Sequence, residues 1–335
     1  MHDLALPLLI GLIIVALAFD FLNGLHDAAN SIATVVSTRL LSPGVAVVFA
    51  AVGNFSAYWI MGLHVAETVG SGIINKDVVT PAVVFGALIG AMVWNVVTWL
   101  KGIPSSSSHA LIGGLLGAGV THSGFGAIEA SGTSKTVLAI FLSPMLGMVI
   151  AMALMLATGW LFRSVQPRRA ENTFKSLHLL SSAAYSISHG GNDAQKTMGI
   201  IAVLLYSTGH LEGGFHVPEW VVLSCYAAIS IGTLSGGWRI IRTMGTRLTR
   251  LNHHSGFCAS TAGSIVVFGA SAMGIPVSTT HAITGSVVGT GAARRASAVR
   301  WSVATRVVVA WFVTIPASAL VGSLFYLVTR LFDGS

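Results

Sequence analysis

Residues 24–31 read GLHDAANS, and residues 190–197 read GGNDAQKT. Each octapeptide places one aspartate, Asp27 or Asp193, among amide, imidazole or hydroxyl groups inside a long apolar run. An ionised side chain costs at least about 2.5 kcal/mol at the centre of a membrane helix, so a carboxylate in such a run indicates a functional site. The two aspartates lie 166 residues apart, at matching positions. The pattern predicts an internal duplication whose two copies build one shared site.

The composition is that of a membrane protein. Apolar residues make up 53% of the 335 residues and charged residues only 9%, against about 25% charged in a soluble domain. Apolar runs at 4–18, 83–100, 138–157 and 307–328 approach or exceed the roughly 20 residues that cross a bilayer. The formal charge of +7 comes from short basic clusters between apolar runs, which argues against a nucleic-acid partner. We therefore predict an all-α polytopic protein embedded in a lipid bilayer.

The order of the apolar runs predicts about 10–12 transmembrane segments. Two stretches, 4–38 and 176–208, are too long for a simple span and are expected to break within the membrane, the first near Asn23-Gly24. The remaining spans are expected at 44–63, 81–100, 137–162, 217–235, 256–273 and after Arg294-Arg295. The basic segment 163–175 divides the chain into a first repeat, 1–162, and a second repeat, 176–335.

A second pair of motifs supports the duplication. Residues 102–109 read GIPSSSSH and residues 274–281 read GIPVSTTH, and the glycines at 113, 117 and 119 recur at 285, 289 and 291, always at an offset of 172. If the basic loops 163–175, 239–250 and 294–300 are cytoplasmic, the two motifs cross the membrane in opposite directions and both termini are external. The halves are then inverted repeats with broken or hairpin helices, and paired broken segments in inverted halves indicate a transporter site at the membrane midplane.

The chemistry of these motifs suits an anion and a cation together. Ser105–Ser108 and Ser278–Thr280 each follow a proline-marked break, where a new helix offers free N–H groups and the positive end of its dipole. Hydroxyls add donors for the oxygens of a tetrahedral anion, although a hydroxyl row is also a common polar helix cap. Asp27 and Asp193 are either helix N-caps or acceptors for a coupling ion or proton. His109 and His281 are either packing residues or ligands, and the glycine pairs are expected to be helix contacts.

The repeats differ where a cation would bind. Asn30 in the first repeat corresponds to Lys196 in the second, and His26 corresponds to Asn192. Asparagine can coordinate Na⁺ through its carbonyl oxygen, whereas an ammonium group would occupy the place of the cation. His26 adds an imidazole, the type of group whose unperturbed pKa lies near neutral pH. These differences favour H⁺ over Na⁺ as the coupling ion. Asp20, seven residues before Asp27, is either a proton relay or a charge facing a water-filled cavity.

These motifs resemble the paired signatures of the inorganic phosphate transporter (PiT) family. The resemblance covers nearly the whole chain and implies an inverted-repeat α-helical fold, a homodimer in the cell membrane, and phosphate held between the halves and driven by Na⁺ or H⁺. Two departures, His in place of Asn before the first aspartate and Lys196 in place of Asn after the second, are similar to the bacterial low-affinity, proton-driven branch. For that branch a neutral metal–phosphate complex is a candidate substrate.

The sequence is thus interpreted as a secondary phosphate transporter that works by alternating access, with no enzymatic activity and no cofactor beyond the coupling ion. Transport of another oxyanion such as sulfate and a passive channel remain rivals, and so does an intramembrane hydrolase, although the chain has neither a Gly-x-Ser-x-Gly nor a His-Glu-x-x-His motif. The predicted phosphate-binding residues are Ser106, Ser107, Ser108, Ser278, Thr279, Thr280, Asn30 and Lys196. The predicted coupling residues are Asp27, Asp193, His26, Asn192 and Asp20, with Asp27 and Asp193 as Na⁺ ligands if sodium is coupled.

Overall fold

The computed structural model describes residues 6–75, 78–211 and 214–332, and this part of the chain is helical. The helices are α1 (Leu6–Ser37), α2 (Pro43–Ile60), α3 (His64–Gly72), α4 (Pro81–Lys101), α5 (Ser107–Ser123), α6 (Ala130–Leu161), α7 (Pro167–Ser207), α8 (Glu219–Ser235), α9 (Trp238–Arg242), α10 (His253–Ala272), α11 (Thr279–Arg294) and α12 (Trp301–Phe332). Six of these helices are long and apolar enough to cross a membrane, namely α1, α2, α4, α6, α10 and α12. The prediction of an all-α polytopic membrane protein is confirmed.

Two matching hairpins carry the hydroxyl motifs. Gly102 ends α4 with φ +63°, and Gly274 follows α10 with φ +68°. This left-handed conformation is readily available only to glycine, which accounts for a glycine at the same place in both motifs. The helices that start after each turn, α5 and α11, have 17 and 16 residues, at the lower limit of the roughly 17–25 residues that span a bilayer. The proline-marked breaks predicted before the hydroxyl rows are therefore the turns of the α4–α5 and α10–α11 hairpins.

The breaks expected within 4–38 and 176–208 are not found, and this part of the prediction is wrong. Helix α1 runs without interruption through Asn23-Gly24, and α7 runs through Asp193. Gly24 is needed for close packing and does not mark a break, because a Cβ at this position would lie 2.1 Å from the carbonyl oxygen of Ile229 in α8. Asp27 and Asp193 consequently lie inside helices and cannot act as N-caps.

The basic segment 163–175 is mostly helical. Helix α7 starts at Pro167, a residue favoured at the first helical position, so only 162–166 lies outside the helices. With 41 residues α7 is about 60 Å long, twice the roughly 30 Å hydrocarbon thickness. Its first turns, which carry Arg168 and Arg169, therefore reach beyond the membrane.

The two repeats interlock through their hairpins. Helices α5 and α11 begin inside the protein, at the hairpin turns, and we call them the half-length helices. Helix α5 packs against α12, and α11 packs against α6, so each half-length helix contacts the last helix of the other repeat. The contacts are made at glycines, as expected from the sequence. A Cβ on Gly117 would lie 2.1 Å from the carbonyl oxygen of Ala319, and one on Gly285 would lie 2.1 Å from that of Pro144. These distances leave room for hydrogen only, so the backbones are in direct contact.

We expect Gly117→Ala and Gly285→Ala each to destabilise the protein by about 1–3 kcal/mol, because the added methyl group must push two backbones apart. Thermal unfolding in detergent, followed by the loss of monodisperse protein, measures the effect. Gly159→Ala in α6 is the control, since no atom lies within 4 Å of the Cβ it would add. An unfolding temperature of Gly285→Ala equal to that of Gly159→Ala would show that these contacts are not tight.

Candidate functional site

Two acids from different repeats meet in the interior of the protein. One carboxylate oxygen of Asp27, one of Asp193 and a ring nitrogen of His189 all lie within 4.8 Å of one another. The three side chains are buried, at 0–2% exposure. Helix α1 supplies Asp27 and α7 supplies the other two, because the two helices pack against each other. The convergence expected from the duplicated octapeptides is therefore present.

Asp27 accepts three hydrogen bonds. Nδ1 of His26 lies 2.6 Å from Oδ1, Oγ of Ser107 lies 3.1 Å from Oδ2, and Oγ1 of Thr280 lies 3.5 Å from Oδ1. The other ring nitrogen of His26, Nε2, lies 3.2 Å from Oγ1 of Thr98. The carboxylate is thus satisfied by both hairpin helices and by the imidazole of His26.

Asp193 is paired with a cation. Nζ of Lys196, one turn later on α7, donates to Oδ1 of Asp193. On the other oxygen, Oγ1 of Thr279 donates at 3.0 Å, and Nε2 of His189 lies at 3.3 Å. Because a buried carboxylate is stable only when it is paired and hydrogen-bonded, these three groups together explain how Asp193 is kept inside the protein.

The contacts of the two aspartates follow the repeat symmetry. Ser107 donates to Asp27 as Thr279 donates to Asp193, and the offsets of 172 and 166 relate the two pairs. Each aspartate is thus held by the first residue of the half-length helix of its own repeat.

A second matched pair of contacts crosses between the repeats. Nδ2 of Asn30 donates to Oγ1 of Thr280 at 2.8 Å, and Nζ of Lys196 donates to Oγ of Ser108. The ammonium group also donates to the backbone oxygen of Val277 at 2.8 Å. Asn30 and Lys196 are therefore equivalent in place and in partner, although one is neutral and the other is charged.

Ser106 and Ser278 have a different place from the other predicted hydroxyls. Each is the N-cap of its helix, and its hydroxyl accepts the backbone N–H of His109 or His281 at 3.1 and 3.2 Å. This is the polar-cap alternative that the sequence left open, and it applies to one residue of each row. The following two residues of each row have the hydroxyls that reach the aspartates and their partners.

Two further predicted residues lie at the edge of the cluster. Nδ2 of Asn192 donates to Oγ of Ser271 at 2.8 Å, away from both aspartates. Asp20 is fully buried, and neither of its oxygens reaches a hydrogen-bond partner among the described residues, although Thr197 and Asn23 lie beside it. Asp20 is close enough to Asp193 and Lys196 to interact with them electrostatically. It is therefore placed next to the cluster, on the side of α7.

Two residues at the site, His189 and Tyr185, had no role predicted from the sequence, and Ser105 was predicted only as a member of the hydroxyl row. His189 corresponds to Asn23 at the offset of 166 and so gave no identity between the repeats. Ser105 donates to Thr98 at 2.9 Å behind the ring of His26. Tyr185 donates its hydroxyl to the backbone oxygen of Thr279 at 2.9 Å, which fixes the start of α11. The spacing of four residues between His189 and Asp193 places both side chains on one face of a helix and could have indicated the role of His189.

The repeated histidines meet each other at the centre of the molecule. The rings of His109 and His281 lie 4.3 Å apart edge to face, and His281 stacks on Trp311 at 3.7 Å. Each is the third residue of its half-length helix and directly follows the hydroxyl row. Their position is that of packing residues between α5 and α11, one of the two interpretations left open by the sequence.

Comparison with known proteins gives a consistent result. The chain matches the Phosphate transporter family (PHO4) twice, over residues 23–169 and 162–322. A "Probable low-affinity inorganic phosphate transporter" of Rhizobium meliloti (strain 1021) is 60% identical over 98% of both chains, and one of Bacillus subtilis (strain 168) is 39% identical over 98% of this chain and 99% of the relative. A solved structure titled "The sodium-dependent phosphate transporter" is similar with a TM-score of 0.89 and 26% identity, covering 97% of this chain and 100% of the other.

These similarities extend over the full length of the fold, and the relatives named are transporters. With its two matched hairpins, interlocked repeats and converging aspartates, the chain is a multi-pass membrane transporter and belongs to the phosphate transporter family.

Proposed function

We propose that the protein is a proton-coupled symporter that moves inorganic phosphate across the cell membrane by alternating access, as a homodimer. One observation carries the choice of coupling ion. The ammonium group of Lys196 forms an ion pair with Asp193, whereas the equivalent residue of the first repeat is the neutral Asn30. The cell-membrane location and the homodimer rest on the family resemblance.

Charge explains why the lysine matters. An aspartate and an asparagine amide oxygen are hard ligands of the kind that alkali and alkaline-earth ions prefer. At Asp193 the ammonium already neutralises the carboxylate and donates to Ser108, so a sodium ion would have to displace a covalently tethered cation. This arrangement supports a second repeat that carries its own fixed cation and needs no Na⁺.

The first repeat supplies the groups that would take the proton. Asp27 and His26 share a hydrogen bond of 2.6 Å, and both are buried. Asp27, Asp193 and the ammonium of Lys196 carry a net charge of −1, and a bound dihydrogen phosphate ion makes this −2. One proton on the His26–Asp27 pair removes one of these negative charges, and a smaller net charge favours movement through a low-dielectric interior. Proton uptake at His26–Asp27 is therefore the proposed coupling step, and Asp20 is the proposed relay.

Phosphate would bind where α5 and α11 begin. The first residues of both helices have backbone N–H groups without helical partners, and the helix dipoles place positive charge there. The hydroxyls of Ser107, Ser108, Thr279 and Thr280 lie at this point and turn toward the aspartates or their partners. We propose that these hydroxyls, with Asn30 and Lys196, rearrange to bind the phosphate oxygens, and that Ser106 and Ser278 hold the helix ends in place.

The aspartates favour phosphate over sulfate. Hydrogen phosphate can donate a hydrogen bond to a carboxylate, whereas sulfate has no proton to donate at neutral pH. A sulfate oxygen facing Asp27 or Asp193 would meet an uncompensated charge.

Alternating access would use the interlocked hairpins. The hydroxyls and aspartates of the cluster are no more than 3% exposed, which supports a state closed to both sides. Because α5 rests on α12 and α11 rests on α6 through glycine contacts, each half-length helix can tilt with the other repeat as a unit. Rocking of these units would open the site to one side and then to the other.

The solved relative titled as sodium-dependent makes Na⁺ the second candidate ion. The oxygen and nitrogen atoms of Asp27, His189 and Asp193 within 4.8 Å of one another also suit the cation of a metal–phosphate complex. In both cases the added cation would take the place of the Lys196 ammonium at Asp193. Uptake assays with Na⁺ and divalent cations varied separately distinguish these species from free phosphate.

We expect labelled phosphate uptake into proteoliposomes to follow an inward proton gradient and to continue in Na⁺-free medium, because Lys196 fills the cation position. The measurement varies the Na⁺ and pH gradients independently at fixed membrane potential, with and without Mg²⁺. If uptake collapses when Na⁺ is omitted, proton coupling is wrong. If uptake without Mg²⁺ is unchanged, free phosphate is the transported species.

Asp27→Asn and Asp193→Asn are each expected to lower uptake at least about 100-fold, since removing one partner of a buried charged pair costs about 3–5 kcal/mol. Glu129→Gln, at an exposed carboxylate that precedes α6, is the matched control and keeps the wild-type rate. Uptake is measured on protein with a wild-type elution profile. Wild-type rates in both aspartate variants would show that the cluster is not the transport site.

Lys196→Asn is expected to make uptake depend on Na⁺, because it gives the second repeat the same Asp and Asn pair as the first and removes the tethered cation. Lys196→Met is the matched control, since it removes the charge without adding an oxygen ligand and is expected to lose uptake with or without Na⁺. The Na⁺ dependence of initial rates separates the two variants. Equal rates at all Na⁺ concentrations in both would contradict the role given to the ammonium.

A further inference from the structure

Four exposed arginines line a cavity at the C-terminal end of α11, opposite to the end that carries the hydroxyl row. The cavity has a volume of about 540 Å³ and lies where α11 ends and α12 begins. It is lined by the side chains Arg250, Arg294, Arg295 and Arg300, together with Thr249 and Ser297. None of the four arginines comes within 4.0 Å of a carboxylate oxygen in the described part of the chain. Four guanidinium groups without acidic partners around one cavity indicate an anion site.

The cavity is a built feature of the fold. The backbone N–H of Arg300 donates to the oxygen of Leu248 at 2.9 Å, and Thr249 donates to the oxygen of Ala298 at 3.1 Å. These bonds join the segment before α10 to the α11–α12 connection. Arg294 donates to the backbone oxygen of Arg250 at 3.2 Å, which holds one guanidinium across the cavity. Hydrogen bonds thus fix the two backbone segments that form the cavity and one of its four guanidinium groups.

An apolar groove begins where the cavity ends. Arg300 lines the cavity, and the next residue, Trp301, lines a groove of about 510 Å³ between α6, α11 and α12. The groove follows α12 to Ile315, a distance of about 21 Å at the helical rise, which exceeds the roughly 15 Å of one hydrocarbon leaflet. Its lining includes Val137, Phe141, Met145, Val308 and Phe312. A basic cavity and an apolar groove therefore adjoin along one helix.

We propose that this composite site binds an anionic phospholipid, with its headgroup phosphates on the arginines and an acyl chain in the groove. Four positive charges match a headgroup with two phosphates better than a single phosphate ion. Trp301 is half exposed and fixed by a hydrogen bond from Nε1 to the oxygen of Ala296, as is typical of tryptophans at the membrane–water boundary. The loop 294–300 is predicted to face the cytoplasm, whose leaflet carries anionic lipids. The site is independent of the transported ion.

The test uses the purified full-length protein in detergent micelles, with cardiolipin as the probe and binding measured by native mass spectrometry. Arg295→Gln/Arg300→Gln is expected to weaken cardiolipin binding about 25-fold, because each arginine near an anionic lipid contributes a factor of about five. Arg168→Gln/Arg169→Gln is the matched control. It removes the same charge from exposed arginines on the same predicted side but outside the cavity, and is expected to bind as the wild type does.

A second variant tests the groove. Val308→Trp fills the groove without altering the arginines, so it is expected to weaken cardiolipin binding at least about fivefold. It should leave any binding of water-soluble glycerophosphate or inorganic phosphate unchanged. The proposal is overturned if the wild-type protein binds cardiolipin no better than phosphatidylcholine, or if the two double variants bind equally. It is also overturned if inorganic phosphate displaces cardiolipin at equal concentration, since a soluble anion would then be the ligand.

Discussion

The structure depends on the need to satisfy two carboxylates inside a membrane protein. Asp27 and Asp193 cannot remain buried without donors, and both are shielded from bulk solvent. The donors come from the helix starts that follow each hairpin turn, with Ser107 on Asp27 and Thr279 on Asp193. The hairpins therefore have to reach the centre of the molecule. Their glycine turns, half-length helices and close packing against the last helix of the other repeat follow from that requirement.

The same contacts make the two repeats unequal in charge while keeping them equal in shape. Asn30 and Lys196 occupy equivalent places and contact equivalent hydroxyls, Thr280 and Ser108. Replacing a neutral amide by an ammonium fixes one positive charge in the second repeat, next to Asp193. His26 stands beside Asp27, where the second repeat has the amide of Asn192. The contacts of the first aspartate are therefore with hydroxyls and an imidazole, whereas those of the second include a fixed cation.

Much of the fold and part of the site could be predicted from the sequence. The duplication, the hairpins and the hydroxyl rows are visible as repeated letters, because the same local geometry requires glycine, proline and serine in both halves. The break expected at Gly24 was wrong because a glycine in a sequence can indicate either a turn or close packing. Here Gly24 allows the carbonyl group of Ile229 to approach the helix. His189 was overlooked because its counterpart is Asn23, and comparing repeats by identity conceals residues that share a place but differ in type.

The inequality of the repeats also bears on the relative energies of the two states of a symmetric scaffold. Two inverted halves with identical contacts would have outward-open and inward-open states of equal energy, since each state is the other with the halves exchanged. The packing of α5 on α12 and of α11 on α6 keeps this symmetry. The ammonium of Lys196 breaks it, because it donates to Ser108 of the first hairpin and to the backbone oxygen of Val277 in the second, whereas the equivalent Asn30 is neutral and donates to Thr280. Asp193 and Lys196 lie on one helix, as do His26 and Asp27, so these pairs stay together when a hairpin moves. Movement of either hairpin away from α7 therefore breaks a hydrogen bond from the ammonium, for which the first repeat has no charged equivalent, and this difference makes the two states unequal in energy.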